Sequence, residues 1–137
     1  MKYRAFGKLG WDTSVLGFGA MRLPVNEDKS INESEAIRMI RHAIDSGVNY
    51  IDTAYVYHDG KSEPLVGKAL ADGYRSRVKI ATKSPIWLIK APEDFDRILD
   101  EQLSRLATDH IDFYLMHGIG VWGWNQIKKF DLLKRAE

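Results

Sequence analysis

The sequence predicts an α/β fold, a parallel sheet with helices packed on it, from three observations. Short apolar runs alternate with helical apolar stripes. The alternation recurs at about 30 residues, the length of one βα unit. No linker, low-complexity stretch or charge block interrupts it, so residues 1–137 read as a single domain. A closed barrel of eight units needs about 250 residues, so a barrel of this kind would be represented here by its first four units, a truncated front half. A doubly wound sheet is the competing topology, and periodicity does not separate the two.

The elements follow in order. Residues before Val15, including Phe6, Gly7 and Gly10, suggest a short N-terminal hairpin without evident chemistry. Val15 to Gly19 is an apolar run bounded by glycine and reads as the first strand. Asn32 with Glu35 has the spacing of a capping box, Ile37, Ile40 and Ile44 mark one helical face, and Gly47 supplies a left-handed stop. Val48 to Asp52 is the second strand. Ser62 and Pro64 then open a helix through Leu65, Val66, Ala69 and Leu70 that finishes near Gly73. Val78 to Lys83 is the third strand. Pro92, Glu93 and Asp94 begin a helix whose stripe is Phe95, Ile98, Leu99, Leu103 and Leu106. Ile111 to Met116 is the fourth strand, and a last helix is expected from Ile127 through Ala136.

Composition narrows the chemistry. At 45% hydrophobic and 28% charged, the chain has the balance of an ordinary globular domain. It has no apolar run of about 18 residues and no signal-type segment behind Met1, so a cytoplasmic location is expected. With no Cys there is no disulfide, thiolate nucleophile, Cys-ligated zinc or iron–sulfur cluster, and reactive groups must be oxygen and nitrogen. Twenty Lys and Arg against nineteen Asp and Glu leave a formal charge of +1, which creates no field for nucleic acid or an anionic membrane. A small molecule or another protein is the expected partner.

In parallel β/α sheets the loops leaving the carboxyl ends of the strands all emerge on one face, and the active site forms there. On this reading the second strand ends in Asp52, the third in Lys83 and the fourth in His117, with Tyr57 five residues beyond Asp52. Singly, each has an ordinary reading: a turn cap, a solvated charge, a structural histidine, a lid aromatic. Together they converge. A lysine against the sheet needs a counter-ion, which Asp52 supplies. A phenol titrates near 10 in water, and using it for proton transfer near neutrality means stabilising phenolate by about 3 units, or about 4 kcal/mol. A nearby ammonium can do that, while neutral His117 orients a carbonyl by a second hydrogen bond. With no thiol available, the reductant for such a carbonyl would be a nicotinamide.

These residues sit in a series of motifs: Leu16 to Leu23, Asn49 to Ala54 with Tyr57, Ser62-Glu63 with Gly67 and Ala69-Leu70, Ala81 to Lys83, and Ile111 to His117. In this order and spacing the series resembles the aldo-keto reductases. The resemblance implies a (β/α)8 barrel that reduces aldehydes and ketones with NADPH or NADH. It makes Tyr57 the proton donor, Lys83 and Asp52 its tuning pair, and His117 the carbonyl-orienting residue. Gly19, Ala20, Met21 and Asp52 would border the cofactor. The opening Tyr3 to Gly10 and the run Met21 to Pro24 resemble a bacterial branch whose longer members end in a ferredoxin-like module. Neither that module nor the family's later cofactor-gripping strands have a counterpart up to Glu137. Gly118 stands where many members have Trp. Trp122 and Trp124, in the same loop, either line the substrate pocket or pack beneath the loop.

Other readings remain. Gly17-Phe18-Gly19 lacks the third glycine of a dinucleotide fingerprint, where Arg22 stands, so a Rossmann reading fails. His58, Asp59 and Glu63 match no metal spacing; Glu63 reads as a first-turn carboxylate favoured by the helix dipole, and no metal is expected. A catalytically silent half barrel, assembling through its open sheet edges with another copy or a complementary half, is the alternative to a reductase. A reductase-like regulatory subunit is a third.

Overall fold

The computed structural model describes residues 1–136. The hairpin forms: β1 (Tyr3–Ala5) pairs antiparallel with β2 (Asp12–Ser14). Phe6 and Trp11 between them meet Tyr50 and Phe113 with ring centroids 5.0 to 6.5 Å apart, an aromatic cluster that covers the start of the sheet.

Four strands make one parallel sheet in chain order: β3 (Phe18–Gly19), β4 (Tyr50–Asp52), β5 (Lys79–Pro85) and β6 (Phe113–His117). That order separates the two topologies that periodicity left open. A doubly wound sheet reverses strand order at a switch point, whereas a barrel adds each strand beside the last. The fold is therefore α/β, with the first units of a barrel behind a short hairpin.

Three helices, α1 (Glu33–Asp45), α2 (Ser62–Ala69) and α3 (Pro92–Leu106), connect the strands. Ile40, Ile44, Leu65, Val66 and Leu106 from them bury against Ile51 and Ile80 of the sheet. Each such side chain contributes about 1.5–3 kcal/mol relative to exposure. A second cluster, with Ile86, Phe95, Ile98, Ile127 and Leu132, lies toward the carboxyl ends of the strands. Helices α2 and α3 approach closely at Gly67, where a Cβ would stand 2.8 Å from the Leu106 carbonyl carbon and oxygen.

The termini of the helices follow local chemistry. Asn32 Oδ1 accepts from the Glu35 N–H at 3.2 Å, and Gly47 ends the helix at φ +97°. The reciprocal half of the expected capping box is absent, because the Glu35 carboxylate binds Arg38 and the Asn32 N–H donates to the Pro24 carbonyl. At α3, the Lys90 N–H, Arg97 and the Ala91 N–H together hold the Asp94 carboxyl down to about 2.

Several boundaries depart from the sequence reading: β4 begins only at Tyr50, β5 runs on to Pro85 so that Lys83 lies two residues before its end, β6 is Phe113–His117, and two departures are larger. The first strand is only Phe18–Gly19, because Val15 and Leu16 turn into solvent, 58% and 62% exposed, and the apolar run there is not a buried strand. The last helix begins earlier and breaks: α4 (Val121–Lys129) and α5 (Leu132–Arg135) are separated by Asp131 at φ +51°. Ile127 and Leu132 both bury against the second cluster, and the break lets each reach it. No helix of the described residues is long and apolar enough to cross a membrane.

Candidate active site

Alternation along β5 divides its side chains between two environments. Thr82 is buried against the helices, bonded to Glu63 and Gln102, so Ala81 and Lys83 lie on the opposite face. Register then builds that face in layers: Gly19 beside Asp52, Asp52 beside Ala81, Lys83 beside Leu115 and, at the carboxyl end, Pro85 beside His117.

The Lys83 ammonium is the centre. Its three protons have three acceptors: Asp52 Oδ1 at 2.6 Å, the Thr53 carbonyl at 2.7 Å and the Tyr57 hydroxyl oxygen at 3.1 Å. With its side chain only 14% exposed, the ammonium is fixed in place by this set. Because the Tyr57 oxygen accepts from Lys83, its own hydroxyl proton is free to donate elsewhere. The ammonium also lies 4.7 Å from the centre of the Tyr57 ring.

His117 stands edge-on to Tyr57, with ring centroids 5.9 Å apart at 89°. Its Nδ1 is buried and has no hydrogen-bond partner among the described residues. In the tautomer with its proton on Nε2, the ring can donate that proton to a ligand. Burial, and next the Lys83 charge, lower the imidazole below its ordinary 6.5 against a weaker opposing pull from Asp52. At neutral pH the ring is uncharged.

The structure thus brings together Asp52, Tyr57, Lys83 and His117. Of the expected cofactor-side residues, Gly19 is exposed with no atom within 4 Å of where a Cβ would stand, and Met21 is 48% exposed. Ala20 is turned inward, fully buried, with its carbonyl accepting from Ser62 Oγ at 3.1 Å. Trp122 and Trp124 lie half-exposed on α4, the latter beneath the Lys128 ammonium at 5.9 Å. The indole beside His117 is instead that of Trp87, 5.3 Å between centroids, and its ring leaves no room for a Cβ at Gly118 without a 3.2 Å contact.

Sequence reading missed Trp87 and a polar network behind the sheet. Glu63 is a first-turn residue of α2 but not a solvated one: it is fully buried, and Oε1 accepts from Thr82 Oγ1 at 2.7 Å and Gln102 Nε2 at 2.6 Å. Gln102 also reaches the Lys83 carbonyl at 3.3 Å and accepts from the Tyr114 hydroxyl at 2.8 Å. One signal was present, since Gln102 falls on the apolar stripe of its helix, between Ile98 and Leu106. His58, Asp59 and Glu63 do not gather as ligands; among the described residues no group of three or more His, Asp and Glu does. An open groove of about 520 Å³ lies near the amino ends of the strands, lined in part by Trp11, Arg75, Arg77 and Lys79. Its charges are already matched, Arg75 and Lys79 by Asp112 and Arg77 by Asp45, so it holds no free cation cluster.

Comparison with known proteins identifies the family. The model of the Aldo/keto reductase family matches residues 15–126. Probable aldo-keto reductase 1 of Glycine max is 34% identical over 121 residues, 82% of this chain and 35% of that protein. Aldo-keto reductase YhdN of Bacillus subtilis is 35% identical over 125 residues, 85% of this chain and 38% of that protein. Among solved structures, the holo form of aldo-keto reductase AKR11C1 from Bacillus halodurans superposes with a TM-score of 0.77 at 32% identity, over 99% of this chain and 47% of that one. An aldo-keto reductase of Klebsiella pneumoniae in complex with NADPH gives 0.70 at 28% identity, over 89% of this chain and 43% of that one. The chain therefore spans less than half the length of these four relatives. Residues 15–126 are most of the sequence, and the chain belongs to the aldo/keto reductase family.

Proposed function

We propose that this chain carries the proton-transfer machinery of an NAD(P)H-dependent reductase that converts aldehydes or ketones to alcohols, with Tyr57 as proton donor. The observation that carries the reading is the three-way donation by Lys83, which holds the Tyr57 oxygen while leaving its proton free. A bound reduced nicotinamide supplies the hydride for the carbonyl carbon. The carbonyl oxygen, as charge develops on it, takes the Tyr57 proton, and Lys83 stabilises the phenolate left behind until solvent reprotonates it. Neutral His117 donates from Nε2 to the same oxygen and sets its direction. Gly19, Met21 and Asp52 fit one edge of the cofactor, since Gly19 is open beside Asp52 in the sheet and Met21 is exposed in the turn that follows. NADPH is the favoured form, on the likeness to the NADPH-bound Klebsiella enzyme.

The test is Tyr57→Phe, assayed for carbonyl reduction beside the unaltered protein. Loss of one hydroxyl should lower carbonyl reduction by about 10²- to 10⁴-fold with the circular dichroism unchanged. Full turnover would remove Tyr57 from the mechanism.

A second reading, a silent half barrel that assembles with another copy or a complementary half, is favoured by one observation. Among the described residues β3 and β6 each have a single strand neighbour, and Leu115 on β6 is 38% exposed. Titrating NADPH against the purified 137-residue chain separates the two: saturable nicotinamide fluorescence supports the reductase, and none, with a dimer by sedimentation, supports the module.

A further inference from the structure

We infer that His58 is a positioning residue for the Tyr57 hydroxyl, latching the loop that carries Tyr57 to the turn after β3. The inference rests on the reading of Tyr57 as proton donor. Most hydrogen bonds in the loop are short-range. The Tyr57 N–H donates to the Ala54 carbonyl, the Gly60 and Ser62 N–H groups donate to the Tyr57 carbonyl, and the Lys61 N–H donates to the His58 carbonyl. Across the fold, α3 holds the loop at Tyr55, whose carbonyl accepts from Arg105 Nη1 at 3.3 Å and whose hydroxyl donates to Glu101 at 2.9 Å, and Lys83 holds the Tyr57 hydroxyl oxygen.

Two features of His58 stand apart. It adopts φ +50°, and Asp59 after it φ +54°, conformations that glycine takes freely and a side chain resists. A strained non-glycine backbone persists when its surroundings over-determine it. What holds it here is a contact 35 residues distant in sequence: the Leu23 N–H donates to His58 Nε2 at 3.1 Å. Leu23 is buried, and its amide would otherwise lack a partner. The bond requires the imidazole proton on Nδ1, leaving Nε2 as acceptor.

The latch has a second strap. Ser62 Oγ, itself bonded to Thr53 Oγ1 at 2.9 Å, donates to the Ala20 carbonyl at 3.1 Å. Residues 20–23 are thus tied at both ends to the segment bearing Tyr57. That turn also carries Met21 and follows Gly19, so the two straps fix the proton donor relative to the residues that would border the nicotinamide. Ser62 holds one end of the turn by a hydrogen bond, and His58 holds the other, where the Leu23 side chain also enters the core.

The experiment uses the 137-residue chain, isotopically labelled, and magnetic resonance. A through-hydrogen-bond ¹⁵N–¹⁵N coupling between the Leu23 amide and His58 Nε2 is expected in the unaltered chain. His58→Gly relieves the backbone and deletes the imidazole, and should keep a dispersed, folded spectrum while losing the nuclear Overhauser contact between the Tyr57 ring and the Lys83 side chain. His58→Gln, which keeps an acceptor, should recover that contact. No Leu23–His58 coupling in the unaltered chain would overturn the inference whether or not the glycine variant folds, and so would an undiminished Tyr57–Lys83 contact in His58→Gly. A Tyr57→Phe enzyme with full turnover would end the reductase reading and leave the coupling in place, whereas a missing coupling would end the latch and leave that reading standing.

Discussion

The Lys83 ammonium donates to the Tyr57 hydroxyl oxygen across 3.1 Å while also binding Asp52 at 2.6 Å, so a single cation couples a strand-end carboxylate to a loop phenol. The three residues come from two adjacent strands and the loop between them, and the register of β4 on β5 sets their spacing. Replacing the cation tests the coupling. Lys83→Met keeps the length and apolar stem of the side chain but removes every donor. Hydrogen bonds to charged groups contribute about 1.5–3 kcal/mol, so carbonyl reduction should fall by roughly 10- to 150-fold. Steady-state turnover checks it, with the circular dichroism spectrum as control.

His117 should titrate below 6.5, because burial and then the Lys83 charge both oppose its protonation. The sign for stability follows. The unfolded chain binds a proton at a higher pH than the folded one, so the contribution is intact above 6.5 and declines as the pH falls through the lower folded value. In Lys83→Met the midpoint should rise toward 6.5 without reaching it, since burial remains. Proton resonances of the imidazole, followed by pH titration, read this directly. A midpoint unmoved by the substitution would show that Lys83 does not act on the ring.

Gly67 carries a packing prediction whose sign is informative. In a helix, Ala is favoured over Gly by about 1 kcal/mol. Here the new Cβ would meet the Leu106 carbonyl carbon and oxygen at 2.8 Å and the Arg105 carbonyl oxygen at 3.0 Å, all backbone atoms. Backbone yields only by moving α2 away from α3, so Gly67→Ala should instead destabilise by about 1–3 kcal/mol. Urea denaturation would measure it, and a stabilised variant would contradict the close approach.

The fold was largely legible because its signals are local. Gly47 stops α1 by its own backbone preference, and Asn32 and Asp94 cap helices through neighbours three residues away. Val15 and Leu16 misled because an apolar run does not say which of its residues a later strand will cover; of that run, β4 pairs with Phe18 and Gly19 alone. Asp52, Lys83 and His117 could be placed because strand ends converge in any parallel sheet. Trp87 could not, since its approach to His117 depends on the turn after Pro85. The buried role of Glu63 depends on Thr82 and Gln102, 19 and 39 residues away, and a first-turn carboxylate looks the same in sequence whether it meets solvent or a buried amide.

That network makes the last prediction. Removing the carboxylate in Glu63→Ala would strand the Thr82 hydroxyl proton and weaken the hold on the Gln102 amide, while Arg105, whose Nη1 lies 3.4 Å from Oε2, keeps the Glu101 carboxylate. Leaving buried polar groups without their acceptor costs about 1–3 kcal/mol each, so the urea midpoint should fall more than for Gly67→Ala. Tyr114 reports on the same network at high pH. Burial above all pushes its phenol up to about 12, from an ordinary 10.0. The folded state therefore holds that proton longer than the unfolded one, and the stability it lends is complete below pH 10.0 and is lost as the pH rises toward about 12. Tyr114→Phe should flatten that alkaline decline while removing the hydrogen bond to Gln102 Oε1. Denaturation followed between pH 9 and 12, at roughly half-unit steps, decides between this and a phenol that ionises with the exposed tyrosines. If Tyr114→Phe leaves the alkaline slope unchanged, the Tyr114 phenol is not buried as the structure has it.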